Sequence, residues 1–150
     1  RKMEGAEITA ERLDMVMKAH ERGRLVDQVF SAFLGALPRE DFIPYVADFY
    51  LQLENVKWTV IAGIVKDTLI VSVRNLGYSK NAGEFARRYF GDIGSAGGHR
   101  AMAKAVVPAA AFRRKHGIDS DADMNARLQE MVSQFLHEAP AAERRKENGR

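Results

Sequence analysis

The stretch that decides the fold is VKWTVIAGIVKDTLIVSVRNLG, residues 56–77. It contains two runs rich in β-branched residues, and only Lys66 and Asp67 separate them. β-Branched side chains favour the extended backbone of a strand, and two residues are a common length for a hairpin connection. A parallel pair would need a long crossover between its strands. We therefore predict an antiparallel pair of strands over residues 56–74.

Helices are predicted on both sides of this pair, because apolar residues recur there at helical spacing. The predicted helices cover residues 10–22, about three turns starting near Pro38, residues 79–91 and residues 119–138. Further strands are predicted over residues 24–34 and 103–108. The expected fold class is α+β, with a small mixed β-sheet of about four strands packed against four to five helices.

Length and composition indicate one ordinary globular domain. The chain has 150 residues, of which 46% are apolar and 29% are charged, which is typical of a folded protein. We expect residues 1–140 to form a single domain with its core at about residues 24–108, and residues 141–150 to form a flexible polar tail. The first residue is Arg rather than Met, so we expect the chain to be part of a longer protein.

Charge and residue usage exclude several classes of function. The chain has no cysteine, so a disulfide framework and a cysteine-based zinc site are both excluded. No apolar segment approaches the ~20 residues that cross a bilayer, and the predicted location is cytoplasmic, with no membrane partner. The net charge of +3 is too small to indicate nucleic-acid binding by itself, although it is compatible with anionic ligands.

The segment GDIGSAGGHRAMAKAVVP, residues 91–108, combines glycines with a histidine. Gly94, Gly97 and Gly98 can adopt positive φ, and successive backbone N–H groups in such a bend can form a concave nest for an anion. His99 would then donate a hydrogen bond to the same anion. A simpler interpretation stays open, in which the glycines only make the turn between a helix and a strand.

Two motifs in this region resemble a known family. VSVRN at residues 71–75 ends a predicted strand, and AGGH at residues 96–99 precedes a segment rich in alanine. This arrangement resembles the C-terminal DHH-associated domain of the DHH-family phosphoesterases, in which a Val-Ser-x-Arg-Ser-like strand is followed by a Gly-Gly-Gly-His loop. The resemblance extends over about residues 56–108. Ala96 replaces the first glycine of the loop, and Asn75 replaces the usual serine.

The resemblance implies a substrate-binding role. The family includes RecJ-like nucleases, oligoribonucleases, phosphoadenosine phosphate phosphatases and cyclic-dinucleotide phosphodiesterases. The resemblance implies as ligands a short oligonucleotide or a nucleotide phosphate, held by Arg74, Asn75, Ala96, Gly97, Gly98, His99 and Arg100. Without the resemblance, the favoured interpretation of Arg74 is a surface residue paired with Glu84 or Asp92.

Catalysis is expected to lie outside this chain. In the family, a separate N-terminal DHH domain holds two manganese ions between Asp and His ligands. Here there is no Asp-His-His motif, and the four histidines at positions 20, 99, 116 and 137 are scattered. We therefore expect no catalytic residue, cofactor or metal site in this chain, with manganese bound by a DHH domain in cis.

A second function class stays open. Residues 25–34 carry large apolar side chains on both faces of the predicted strand, so a surface left uncovered could self-associate. In this interpretation the chain is a non-catalytic interaction module or homodimer with a purely structural glycine loop. The acids at 119, 121, 123 and 130 match calcium-loop spacing, but Met124 occupies the position that needs glycine, and we expect a helix there, capped by Ser120.

Overall fold

A computed structural model describes residues 8–138 of the chain. The predicted tail at residues 141–150 lies outside the described residues. In chain order, the five described helices are α1 Ala10–Arg22, α2 Phe42–Leu51, α3 Ala82–Phe90, α4 Ala109–His116 and α5 Asp121–Leu136. The six strands are β1 Arg24–Val26, β2 Val29–Ala36, β3 Trp58–Val65, β4 Thr68–Asn75, β5 Ser95–Gly98 and β6 Met102–Pro108.

The strands form one mixed sheet in the order β1-β2-β3-β4-β6-β5. The β2–β3 pair is parallel and the other four pairs are antiparallel. The predicted α+β class and the number of helices are confirmed. The expectation of about four strands is wrong, because two short edge strands, β1 and β5, were not predicted.

The β3–β4 hairpin is confirmed. Its register runs from Trp58 opposite Asn75 to Val65 opposite Thr68. The two turn residues, Lys66 and Asp67, have φ values of 48° and 66°, the left-handed geometry that matches the twist of a two-residue hairpin.

The strand predicted over residues 24–34 is a second hairpin, formed by β1 and β2. Asp27 and Gln28 make its turn, with φ values of 51° and 72°. Neither residue is glycine or asparagine, the usual markers of such a turn, and the alternating apolar pattern continues across it. For this reason the sequence predicted one continuous strand where the structure has two strands and a turn.

The glycine segment is also a strand and not a loop. Ser95–Gly98 of this segment form β5, which pairs antiparallel with β6 at the edge of the sheet, whereas Gly94 precedes the strand and His99 follows it. Of Gly94, Gly97 and Gly98, only Gly98 has a positive φ, at 151°. The predicted anion nest, which needs a curved run of N–H groups, is therefore wrong.

Three helices, α1, α3 and α5, follow their sequence signals. Polar side chains cap three N-termini: Thr9 Oγ1 accepts from Arg12 N–H at 3.1 Å, Asn81 Oδ1 from Glu84 N–H at 2.9 Å, and Ser120 Oγ from Asp123 N–H at 3.1 Å. The last of these caps starts α5, so the acids with calcium-loop spacing at 121 and 123 lie in a helix.

Two helical boundaries differ from the prediction. α2 begins at Phe42 rather than near Pro38, with Asp41 at its N-cap. α4 was not predicted, because its sequence AAAFRRKH resembles a solvated charge run. Phe112 nevertheless buries completely in the core, and Gly117, with φ of 63°, ends the helix.

The sheet lies between two helical layers. α3, α4 and α5 pack on one face, where Phe33, Val71 and Val73 point. α1 and α2 pack on the other face, against Phe30 and Leu34. β2 is thus buried on both faces by the chain itself, and the expectation that residues 25–34 leave an apolar surface is wrong for β2. None of the described helices combines the length and the hydropathy that crossing a membrane requires.

Candidate functional site

A groove of about 520 Å³ lies on the sheet face beside α2. β4 and β6 supply its floor, β5 and the β5–β6 turn supply one wall, and the start of α2 supplies the other. We call it the sheet groove. It brings together four of the seven residues predicted as ligands: Arg74, Gly97, Gly98 and His99.

Strand register explains why these residues share the groove. Lys104 lies opposite Ser72 of β4 on one side and opposite Gly97 of β5 on the other, and Arg74 lies opposite Met102. Residues directly opposite each other in an antiparallel pair point to the same face of the sheet. These five residues therefore form two adjacent rows across the open sheet face.

Arg74 is the most enclosed cation of the sheet groove, with a side chain only 12% exposed. Its Nε donates to Oδ1 of Asp48 at 2.7 Å, and a terminal nitrogen donates to the Val73 carbonyl at 3.1 Å. Its partner is thus Asp48 of α2, and not Glu84 or Asp92. A guanidinium carries five N–H donors, so these two bonds leave Arg74 the capacity to bind an anion.

Lys104 is the second cation of the groove floor. Its Nζ donates to Oε2 of Glu40 at 2.9 Å, and both side chains are more than half exposed. Exposed pairs of this kind contribute roughly 0–1 kcal/mol to stability. An anionic ligand can therefore replace Glu40 as the partner of Lys104 at little energetic cost.

Packing constrains the two glycines of β5 differently. A Cβ added at Gly98 would lie 2.3 Å from the Met102 carbonyl oxygen, so the fold itself requires glycine there. A Cβ added at Gly97 would meet nothing within 4 Å. No packing constraint from residues 8–138 accounts for Gly97, and its missing side chain leaves the sheet groove open.

His99 stands exposed at the rim of the sheet groove. Its backbone N–H donates to the Met102 carbonyl at 2.9 Å, which closes the β5–β6 turn. Its Nδ1 accepts from the Ala101 N–H at 3.3 Å. In the neutral ring this leaves the proton on Nε2, where it can be donated to a ligand.

Asn75 and Ala96 do not line the sheet groove. Asn75 is 2% exposed; its Nδ2 donates to the carbonyls of Lys80 and Arg100 at 2.8 and 2.9 Å, and its Oδ1 accepts from Gly77 N–H at 2.8 Å. Ala96 packs into the core on the opposite sheet face. Both residues support the site from outside the groove. Asn75 joins the turn after β4 to the β5–β6 turn, and Ala96 packs β5 against the core.

Arg100 also points away from the groove, toward an aromatic ring that the sequence did not single out. Its guanidinium lies 4.6 Å from the ring centroid of Tyr78 and donates to the Gly77 carbonyl. Tyr78 is 85% exposed. The sequence feature that could have pointed to Tyr78 is its position as the one aromatic residue of the turn LGYSK. Asp48 carried no signal, since it is 26 residues away from Arg74.

A larger cavity, of about 770 Å³, lies between the β1–β2 hairpin and α5, and Ser79 and Lys80 of the turn after β4 contribute to its lining. It contains none of the residues predicted as ligands. Its lining includes the cations Arg24, Lys57, Lys80 and Arg127, with Asp27, Glu130 and His137 among them. We do not take this larger cavity as the functional site, because no residue of VSVRN or AGGH lines it.

Metal ligands do not cluster in the described part of the chain. Within residues 8–138, no group of three or more His, Asp or Glu side chains is arranged to hold a metal ion.

No family model matches the chain. One curated relative, an uncharacterized protein of Methanocaldococcus jannaschii, is 32% identical over 112 residues. The matched region is 74% of this chain and 23% of the relative. The chain therefore spans about a quarter of the length of the curated relative that it matches.

Two solved structures are similar in fold. One is a DHH domain described as a member of the S1p family of ribosomal proteins, with a TM-score of 0.51 and 10% identity over 85% of this chain and 30% of that chain. The other is the C-Ala domain of Aquifex aeolicus alanyl-tRNA synthetase, with a TM-score of 0.52 and 17% identity over 75% of this chain and 98% of that domain. At these identities the similarity concerns the fold alone.

Proposed function

Starting from a chain that has the fold of a DHH-associated domain, we propose that the sheet groove binds a phosphate group. The phosphate belongs to a nucleotide or to the 3′ end of a single-stranded nucleic acid. One observation carries this proposal: Arg74 and the Gly97-Gly98-His99 segment, which come from separate parts of the sequence, line the same groove.

Each residue has a chemical role in the proposal. Arg74 donates charge-assisted hydrogen bonds to two phosphate oxygens. Lys104 adds a positive charge on the neighbouring strand, and His99 donates from Nε2 at the rim. Gly97 lets the phosphate approach the backbone of β5, because no side chain stands in the way. Asp48 and Glu40 hold the two cations in place until the phosphate displaces them.

Hydrolysis belongs to another part of the protein in this proposal. A DHH domain in cis supplies manganese and the reacting water, and this chain presents the substrate to it in the cytoplasm. The matched relative is about four times longer than the matched region, which leaves room for such a domain. The chain alone is expected to bind nucleotides without cleaving them.

The test is the affinity of the full 150-residue chain for the dinucleotide pApA, measured by calorimetry. Gly97→Val adds a side chain on the groove face of β5, and its Cβ would meet no described protein atom within 4 Å. We expect it to weaken binding at least about tenfold, or roughly 1.4 kcal/mol, with unchanged stability. Ser95→Val is the matched control, since Ser95 lies on the same face of β5 outside the groove lining.

Two further variants test the charge in the sheet groove. Arg74→Ala should weaken pApA binding about tenfold, since hydrogen bonds to charged groups contribute about 1.5–3 kcal/mol. Asp48→Asn should strengthen it a few-fold, because the competing carboxylate is removed.

The proposal is wrong if Gly97→Val and Arg74→Ala both bind pApA like the unchanged chain. A dimer in light scattering that is indifferent to pApA and to His99→Ala would favour the interaction module.

A further inference from the structure

We propose that the Tyr78 ring, backed by the Arg100 guanidinium, is a stacking platform for the nucleobase of the nucleotide whose phosphate lies in the sheet groove. This inference rests on the proposed function and names the part of the ligand that gives selectivity. The ligand is a nucleoside phosphate or a single-stranded oligonucleotide, and not an inorganic or sugar phosphate.

The exposure of Tyr78 is the first observation. The Tyr78 side chain is 85% exposed, so it contributes almost nothing to the burial that stabilises the core. The chain has four tyrosines, and the other three, at 45, 50 and 89, are buried or half-buried. An aromatic face that folding leaves in water is a surface on which a second π-system can stack.

The position of Arg100 is the second observation. Its guanidinium lies over the Tyr78 ring, 4.6 Å from the centroid, and its terminal nitrogen donates to the Gly77 carbonyl. The bond to Gly77 fixes the guanidinium, and the cation–π contact fixes the ring. One face of the ring is therefore supported by the protein, and the rest is open to solvent.

The third observation is that the platform and the sheet groove lie at the same end of the sheet. Arg74 is the second-last residue of β4, and Tyr78 lies four residues further along the chain. His99 stands on the groove rim, and Arg100 is its neighbour in the β5–β6 turn. The Asn75 amide binds the Arg100 carbonyl at 2.9 Å and so holds the two turns together. The proposal requires a nucleotide that places its phosphate beside Arg74 to extend its base past His99 to the Tyr78 ring.

The chemistry predicts selectivity for the presence of a base and not for its identity. Every nucleobase has a π-face, so stacking on an aromatic side chain tolerates sequence. None of the contacts that hold Tyr78 supplies a hydrogen-bonding pattern that would distinguish one base edge from another. We therefore expect purine and pyrimidine nucleotides to bind with affinities of the same order.

The experiment compares adenosine 5′-monophosphate with ribose 5-phosphate, which lacks only the base, by calorimetry on the full chain. We expect the adenosine compound to bind about tenfold more tightly, because its base can stack on the Tyr78 ring. Tyr78→Leu should remove that difference and leave ribose 5-phosphate binding unchanged, whereas Tyr78→Phe should keep it. Leu76→Ala is the matched control, because it removes exposed apolar area from the same turn without removing a ring.

The outcomes separate the two proposals. If both ligands bind equally and Tyr78→Leu changes neither affinity, the stacking platform is overturned while the phosphate site stands. If neither ligand binds, the proposed function is wrong, and the stacking platform, which depends on it, is wrong as well. Loss of adenosine monophosphate binding in Leu76→Ala as large as in Tyr78→Leu would also overturn the platform, since the ring would then have no special role.

Discussion

At the scale of single residues, Gly97 and Gly98 are adjacent and chemically identical but are constrained differently. Gly98 has a φ of 151°, and a Cβ added there would overlap the Met102 carbonyl. Gly97 has space above it and a place in the lining of the sheet groove. The sequence shows only two glycines in a row, and the neighbours that distinguish them come from β6.

Gly98→Ala should therefore destabilise the fold, whereas Gly97→Ala should not. We expect a loss of about 1–3 kcal/mol at position 98, because the new Cβ meets backbone in a conformation that favours glycine. The change at position 97 should stay within about 0.5 kcal/mol. Urea unfolding of both variants checks this, and equal midpoints for the two would contradict the steric argument.

Asn75 shows what a motif leaves undetermined at this scale. The family resemblance implies a ligand contact for it, but its amide is used by the protein, with partners 5 and 25 residues away along the chain. A buried amide needs hydrogen-bond partners, and the partners depend on how the turns meet. In the structure Asn75 is a positioning residue for the turn that carries Arg100.

At the scale of elements, both two-residue hairpin turns of the sheet use residues other than glycine at positive φ. Asp27 and Gln28 form one of these turns, and Lys66 and Asp67 form the other. The second was predicted because two unambiguous strands flank it. The first was missed because β1 has only three residues, too few to establish a period of its own.

Asp67→Gly should stabilise the protein. Glycine adopts positive φ without a Cβ clash, and the second position of this turn favours it, so we expect a gain of about 0.5 kcal/mol. The carbonyl of residue 67, which accepts from Ala109 N–H at 2.9 Å, is unaffected. Thermal unfolding measures the effect, and Asp67→Ala, which keeps the Cβ, is the control. A variant Asp67→Gly no more stable than Asp67→Ala would refute the prediction.

At the scale of the whole molecule, the junction of α4 and α5 partly buries His116. Its ring lies 4.5 Å from the Phe112 ring, and its Nε2 is buried with no hydrogen-bond partner among the described residues. Burial lowers the pKa of His116 below its usual value, and the positive charges of Arg127 and Lys115 lower it further, with Asp92 opposing them. The native fold therefore favours the neutral ring.

This arrangement predicts a loss of stability in mild acid. The unfolded chain binds the His116 proton near its ordinary pKa of about 6.5, and the folded chain binds it only at lower pH. The contribution of the neutral ring is therefore complete above that value and declines as the pH falls through it toward the lowered pKa. Between about pH 7.5 and 5.5, His116→Gln should lose less stability than the unchanged chain.

Urea unfolding at the two pH values is the measurement for His116, with exposed His20→Gln as the control for removing one histidine. A proton NMR titration of the His116 ring gives an independent reading. A ring that titrates at or above about 6.5 would contradict the buried environment, even where the Gln variant folds poorly.

Local signals in the sequence determined much of this protein. The spacing of apolar residues and the capping side chains gave α1, α3 and α5, because helix periodicity and caps involve residues three or four apart. The β3–β4 hairpin followed from two β-branched runs around a short turn. VSVRN and AGGH indicated the fold, and four of the residues predicted from them as ligands line the sheet groove.

Only the tertiary structure decided how these parts meet. β6 lies between β4 and β5, and this order is what brings Arg74 next to Gly97 and His99. The Asp48 partner of Arg74 and the Arg100 support of Tyr78 join residues more than 20 positions apart, which no local pattern encodes. The physical reason is that strand order is set by burying both faces of the sheet at once, a property of the whole chain and not of any segment.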